Sequence, residues 1–373
     1  MTSDKSADDG APLLLTPGPL TTSRRTRNAM LRDWGSRDTD FIALTARIRN
    51  LVAALCDAAP SHTCVPIQGS GTFAVEAMLG TMIPPDGGVL IAANGAYGRR
   101  MAEIARKLGR RAVIVDGPED APTDITALER SLAENAGLTH LAAVHCETTS
   151  GILNPIEKVA ACAKSHGLAL LIDAMSSFGA LPLRCRSLHA QAIAASANKC
   201  LEGAPGVGLV IAEEAALAAT AGNAPSLSLD LHDQWRGFEA NGQWRFTPPT
   251  HILAALGSAL EQLIEEGGPP ARLARYRDNC RRLIAGMETL GFRLFLAPED
   301  QAPIIVTFHI PTDKSFVFKD FYQQLHKKGV VIYPGKVTAT ETFRIGCIGA
   351  IDGHDIDRAL EAIAAVRGPL ERP

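Results

Sequence analysis

The run Leu168-Ala169-Leu170-Leu171-Ile172-Asp173 decides the fold. It is an apolar stretch of strand length that shows no polar alternation and stops on a carboxylate. A strand apolar on both faces is one that other elements cover on both sides. Gly88-Val89-Leu90-Ile91-Ala92-Ala93, Ala112-Val113-Ile114-Val115 and Leu141-Ala142-Ala143-Val144 have the same character. Between these runs, Arg99 to Leu108, Thr126 to Glu134 and Pro155 to Ser165 carry helical spacing. Strands alternating with helices predict an α/β protein with a mostly parallel sheet between helix layers. Ligands of such sheets gather at the carboxyl ends of the strands. Asp173 sits at one such end and Glu147-Thr148 at another.

Working outward, Gly267-Gly268-Pro269-Pro270 interrupts the pattern after a long helix expected from His251 to Glu265. We place a domain boundary there. Beyond it the sequence predicts a helix from Ala271 to Leu290, a strand from Ile304 to Phe308 and a helix from Phe316 to Lys327. Strands near Val330 to Tyr333 and Phe343 to Ile345, then a helix from His354 to Val366, complete a smaller α+β unit. The expected organisation is therefore a polar tail over 1–12, a large domain over 13–266 and a small domain over 267–373. Residues 13–40 are expected to line the active site or to touch the small domain.

Bulk properties narrow the function classes. The 373 residues include 46% hydrophobic and 21% charged residues, as in ordinary globular chains. A formal net charge of −3 gives no electrostatic basis for binding nucleic acid or a membrane surface. The eight cysteines form no CxxC pair, so neither a disulfide framework nor a zinc site is indicated. No metal site is expected. The polar start from Met1 to Gly10 lacks a signal-peptide core, and a cytoplasmic location is expected.

Chemistry enters with Ser196-Ala197-Asn198-Lys199-Cys200-Leu201-Glu202-Gly203-Ala204-Pro205-Gly206. A lysine is ordinarily a solvated surface residue. Here a nearly apolar segment, Ala192 to Ala197, precedes Lys199 and a glycine-rich one follows. Partial burial would lower the pKa of this amine and make it nucleophilic. An amine of that kind, paired with the strand-end carboxylate Asp173, suits pyridoxal 5'-phosphate (PLP). The lysine would form a Schiff base with the aldehyde, and the aspartate would keep the ring nitrogen protonated. Gly69-Ser70-Gly71-Thr72 precedes a helical stretch from Phe73 to Met82, and a helix N-terminus with small residues accepts a phosphate. Tyr97 could stack on the ring, and Thr148 could hydrogen-bond its hydroxyl.

These residues resemble the class V aminotransferases of PLP fold type I. The resemblance rests on Leu15-Thr16-Pro17-Gly18-Pro19-Leu20-Thr21-Thr22, Gln68-Gly69-Ser70-Gly71-Thr72, His145-Cys146-Glu147-Thr148-Thr149-Ser150-Gly151 and Asp173-Ala174-Met175-Ser176-Ser177-Phe178-Gly179. Ala197-Asn198-Lys199-Cys200-Leu201-Glu202-Gly203, Phe246-Thr247-Pro248-Pro249-Thr250-His251 and Phe343-Arg344-Ile345-Gly346 extend it over most of the chain. The opening segment and the lysine segment are most similar to the branch acting on 2-aminoethylphosphonate and pyruvate. The resemblance implies a large domain with a mostly parallel seven-stranded sheet and a smaller C-terminal α+β domain. It implies Lys199 and Asp173 as catalytic residues, with Ser70, Gly71, Thr72, Tyr97, Thr148, Asn198 and Thr247 as further cofactor contacts. Thr247 would serve the neighbouring subunit, so a homodimer with shared sites is implied. Relatives carry an aromatic phosphate ligand just upstream of Thr247. Trp244, which stands nearby here, has no hydroxyl, and that role is not assigned to it. Arg344 would hold the acidic group of the substrate, by a planar bidentate grip. Arg24 and Arg37 are read as solvated surface residues.

The alternatives are distinguishable. An alanine–glyoxylate or serine–pyruvate aminotransferase keeps the fold and cofactor and changes the amine donor. A cysteine desulfurase usually has histidine before its lysine, where Asn198 stands here, and no mobile-loop cysteine motif is evident. A nicotinamide-dependent dehydrogenase calls for G-x-G-x-x-G, and Ala74 occupies the position of the third glycine after Gly69 and Gly71. It would also leave Lys199 and Asp173 without a role.

Overall fold

The structure, a computed structural model, describes residues 10–313 and 315–367. Most of the expected N-terminal tail lies outside the described residues. Seven strands make the main sheet: β1 His62–Gln68, β2 Gly88–Ala93, β3 Arg111–Asp116, β4 His140–Val144, β5 Ala169–Asp173, β6 Ala190–Ser196 and β7 Val207–Glu213. Their spatial order is β1-β7-β6-β5-β4-β2-β3. β7 runs antiparallel to both neighbours, and the β6-β5-β4-β2-β3 pairings are parallel.

Burial on both faces explains the apolar runs. Leu170 and Ile172 face one hydrophobic cluster with the helix Ile156–Ser165, whereas Leu171 faces another with the helix Gly71–Met82. Each such leucine or isoleucine removed from water contributes about 1.5–3 kcal/mol. Gly71–Met82 buries almost every residue from Ala74 onward. A Cβ at Gly208 would stand 2.6 Å from Cβ of Ala74, so glycine in β7 lets this helix lie directly on the sheet.

The helix Thr250–Glu266 ends at Gly267, whose φ of 111° only glycine adopts readily. A new helix, Gly268–Thr289, starts at once with prolines in its first turn, where their missing N–H groups cost nothing. The sequence predicts this helix only from Ala271, three residues late, because Pro269-Pro270 resembles a breaker. Beyond it, β8 Ile305–His309, β9 Tyr333–Pro334 and β10 Thr342–Gly346 form a second sheet in the order β8-β10-β9, all antiparallel. Phe292, Phe308, Phe321 and Phe343 fill its core together with the helices Phe318–Lys327 and Gly353–Arg367. The N-terminal segment crosses to this unit: Leu13 and Leu14 pair in parallel with Val330 and Val331, and Gly346 N–H donates to Leu15 O at 2.9 Å.

A buried charge network holds Gly268–Thr289 against the loop that follows β6. Glu202 accepts from Tyr276 Oη at 2.6 Å and from Arg275 Nη2 at 2.8 Å, with Arg272 Nη1 3.5 Å away. Glu266 accepts from Arg272 Nε at 2.6 Å and from Arg275 Nε at 2.7 Å. Arg272 is only 1% exposed, so it depends on these partners for its charge. Glu202→Ala should therefore destabilise the protein by about 3–5 kcal/mol, read as a lower midpoint in urea. A loss under about 1 kcal/mol would show that Glu266 alone satisfies both arginines.

Candidate active site

Ser70, Gly71, Thr72, Tyr97, Asp173, Asn198 and Lys199 line one cleft, together with Arg100, Met175, Ser176 and Ser196. The topology accounts for the gathering. Tyr97 follows β2, Thr148 follows β4, Asp173 closes β5 and Lys199 follows β6, so the parallel strands deliver all four to one edge of the sheet.

Lys199 is half-buried, and its Nζ donates to the carbonyl of Pro17 at 2.5 Å. Burial lowers the pKa of this amine, opposed by the negative potential of Tyr97, Cys200 and Asp173. The Thr16–Leu20 segment reaches the lysine because Gly18 has φ 112°, and a Cβ there would stand 2.6 Å from the Lys199 Cδ. Asp173, 5% exposed, shifts the opposite way. Burial raises its carboxyl to about 6, Glu147 adds to the rise, and the Met175 N–H on Oδ1 at 2.9 Å counteracts it. Among the described residues no cation lies within ion-pair distance of Asp173. Each group moves toward its neutral form.

At the other end of the cleft, Ser70 occupies the N-cap of Gly71–Met82 but makes no capping hydrogen bond. No acidic residue stands in the first turn. The helix thus presents free N–H groups and an unengaged hydroxyl, which is the chemistry that receives a phosphate. Arg100 Nη1 donates to Thr72 Oγ1 at 3.3 Å beside it. Ser196 Oγ in the same cleft is buried with no partner among the described residues. These features fit PLP: a phosphate cradle, a carboxylate lacking a cation and a buried amine share one space.

Thr148 and Arg344 adjoin the cleft. Arg344 lies on β10, the central strand of the second sheet, and is 6% exposed. Its Nη1 donates to Thr148 O at 2.7 Å and its Nε to Pro334 O at 3.1 Å, and it also hydrogen-bonds Tyr97. No carboxylate among the described residues pairs with it. Burial pulls its pKa down, but guanidinium remains charged at neutral pH. Tyr97 hydrogen-bonds the Thr148 side chain. Burial alone would raise the phenol, but Lys199 and Lys336 bring its pKa below the usual value.

Thr247 is exposed and stands outside the cleft of its own chain. Trp244 donates from Nε1 to Thr45 Oγ1 at 3.3 Å and packs edge-on to Phe238, so it serves the interior. Arg24 and Arg37 are exposed, with no ion pair among the described residues.

Three contributors were not singled out from sequence. Arg100 follows Tyr97 by three residues on the helix Ala96–Lys107, so the two share a face, and its guanidinium lies 5.0 Å from the Tyr97 ring centre. That spacing was readable. The sequence marks Glu147 only as a strand end. Its fully buried carboxylate accepts from the N–H groups of Tyr97 and Gly98, both at 3.2 Å, from the Thr149 N–H at 3.1 Å and from the Thr149 hydroxyl at 2.6 Å. It therefore caps the helix bearing Tyr97 and fixes the turn bearing Thr148. No sequence signal marks Lys336, which reaches Tyr97 from the second sheet's unit.

A parallel sheet with a buried lysine and strand-end aspartate defines a class, and comparison with known proteins agrees. The family model for class-V aminotransferases matches residues 21–358, and the chain belongs to that family. A 2-aminoethylphosphonate–pyruvate transaminase of Pseudomonas putida is 56% identical over 361 residues, covering 97% of this chain and 98% of that protein. One of the same description from Pseudomonas aeruginosa is 52% identical over 366 residues, covering 98% and 99%. Among solved structures, alanine–glyoxylate aminotransferase from Nostoc sp. superposes with a TM-score of 0.88 at 23% identity, covering 98% of this chain and 97% of that one. Pyridoxamine–pyruvate aminotransferase from Mesorhizobium loti gives 0.86 at 24% identity, covering 97% and 93%. These two likenesses show the fold.

The raised carboxyl of Asp173 makes a signed prediction for the protein freed of cofactor. Folded Asp173 holds a proton that the unfolded chain releases near pH 4, so its contribution to stability falls as pH rises from about 4 to about 6. Asp173→Asn lacks this loss. Above pH 6 the variant should be more stable than the parent by about 2–3 kcal/mol in denaturant titrations, with the gap closing toward pH 4. A constant gap across that range would show that Asp173 ionises without penalty.

Proposed function

We propose that this protein binds PLP and transfers the amino group of 2-aminoethylphosphonate to pyruvate, giving phosphonoacetaldehyde and L-alanine, an opening step of phosphonate breakdown. The observation that carries the reading is the unpaired guanidinium of Arg344 held beside Tyr97 and Thr148, next to the cleft that contains Lys199. The full-length similarity to transaminases described by that reaction supports the choice of substrates.

Ser70, Gly71 and Thr72 would receive the cofactor phosphate, with Asn198 beside them and Thr247 contributed across a homodimer. Tyr97 would flank the ring, Thr148 would meet its hydroxyl and Asp173 its nitrogen. Asp173 would find in a protonated ring nitrogen the cation it lacks, so its buried carboxylate would become a paired one. When bound, PLP supplies an electron sink for the pair left behind as a C–H bond on the substrate breaks.

The protein's own residues do the rest. Lys199 would hold the cofactor aldehyde and, as a free amine, would serve as the base. Its burial-lowered pKa enlarges the neutral fraction, so Nζ can take the proton from the carbon bearing nitrogen and later return it. The Pro17 carbonyl keeps Nζ in place between those events. Arg344 holds the acidic group of the donor and then of the acceptor. One site therefore serves both substrates in turn, and ping-pong kinetics follow. A cytoplasmic location forms part of this proposal.

The direct test follows the visible absorbance of the purified protein. 2-Aminoethylphosphonate should bleach it and pyruvate should restore it. Bleaching by alanine or serine with none by the phosphonate would replace this reading with an alanine–glyoxylate or serine–pyruvate exchange. Arg344→Ala should raise KM for both substrates by about 10- to 100-fold while the cofactor stays bound, the loss expected for a charge-assisted pair. Unchanged KM values would remove Arg344 from substrate binding.

A further inference from the structure

Besides Arg100, which also donates to Thr72 Oγ1, three cations surround Tyr97, and the reaction as described uses only two of them. Lys199 and Arg344 have roles. The third, Lys336, follows β9 and is half-buried, with Nζ 4.1 Å from the Tyr97 ring centre. It also hydrogen-bonds the tyrosine side chain, as Arg344 does. Neither Lys336 nor Arg344 has an ion-pair partner among the described residues. Two cations without an ion-pair partner at one partly buried group repel each other until an anion joins them.

The position of Lys336 is built. Two residues on, Thr338 donates to Glu119 Oε2 from N at 2.6 Å and from Oγ1 at 3.1 Å. Glu119 is 6% exposed and also accepts from Arg99 Nη1 at 2.9 Å. The segment carrying Lys336 is thereby pinned to the main-sheet unit on the side where Tyr97 stands.

The two substrates differ in what they ask of this corner. A carboxylate has one charge and two oxygens, which one guanidinium satisfies in a bidentate grip. A phosphonate has a third oxygen and, like a phosphate monoester near neutral pH, approaches a second charge. A compact ammonium suits that remaining oxygen better than a second planar fork. We propose that Lys336 is the second cation for the phosphonate group, completing with Arg344 a site that prefers a phosphonate over a carboxylate. This inference rests on the substrate reading above.

The test uses the cofactor-loaded protein and the variants Lys336→Met and Lys336→Arg. In the donor half-reaction, Lys336→Met should raise KM for 2-aminoethylphosphonate about 10- to 100-fold, with kcat and the KM for L-alanine changed less than about threefold. Lys336→Arg should recover part of the loss. Ethylphosphonate and propionate, as competitive inhibitors, separate this from turnover: the variant should lose affinity for ethylphosphonate by the same factor and keep that for propionate. Equal changes for both anions, or none for either, would overturn the proposal. If the parent protein turned over alanine but not 2-aminoethylphosphonate, the substrate reading would fall, and the inhibitor pair would still decide whether Lys336 distinguishes the two anions.

Discussion

The carboxylate of Glu202, three residues beyond Lys199, meets three donors brought from a distant part of the chain, Tyr276, Arg275 and Arg272. Its own backbone has φ 59°, a left-handed turn, and its N–H donates to the carbonyl of Lys199 at 2.8 Å. A buried carboxylate cannot drift from its cations without stranding charge in the interior. That constraint fixes the turn after β6, and the turn fixes where the lysine side chain starts. It also seats the helix Gly268–Thr289, and with it the sheet carrying Arg344. Such a network adds little net stability over an apolar core. Its value here is geometric, because it makes the positions of Lys199 and Arg344 parts of one arrangement.

Within the site, desolvation acts on opposite charges in opposite directions. Lys199 falls toward neutrality and Asp173 rises toward it, because burial disfavours the charged form of each. Both effects come from the depth of the cleft at the strand ends. Glu147 shows how such depth is tolerated. Four hydrogen bonds from the turn at Tyr97 and from Thr149 surround its carboxylate, so a buried acid that would be unfavourable alone organises two loops of the site.

Much of the main sheet was legible because doubly buried strands leave a simple mark. The run Gly88 to Ala93 was read at its observed bounds, and the other three runs came within two residues of theirs. Helix starts were less legible. The helix bearing Tyr97 begins at Ala96, where the sequence suggested Arg99, because its N-cap is Gly95 without a side-chain cap and a carboxylate fifty residues away does the capping. The reversal of β7 was equally hidden, since an apolar strand buried on both faces reads alike in either direction.

The chemistry followed the same division. Residue types alone marked Lys199, Asp173 and the Ser70 turn, because an amine in an apolar segment, an acid ending a strand and small residues opening a helix each have a local physical signature. Their meeting in one cleft required the parallel pairing of β2, β4, β5 and β6, which brings distant strand ends to one edge. Arg344 on a short strand is marked only by its family resemblance, and Lys336 in a loop carries no local signature at all. Their meeting at Tyr97 follows only when the second sheet packs beside it, since an unpaired cation is informative through what surrounds it, and packing decides that.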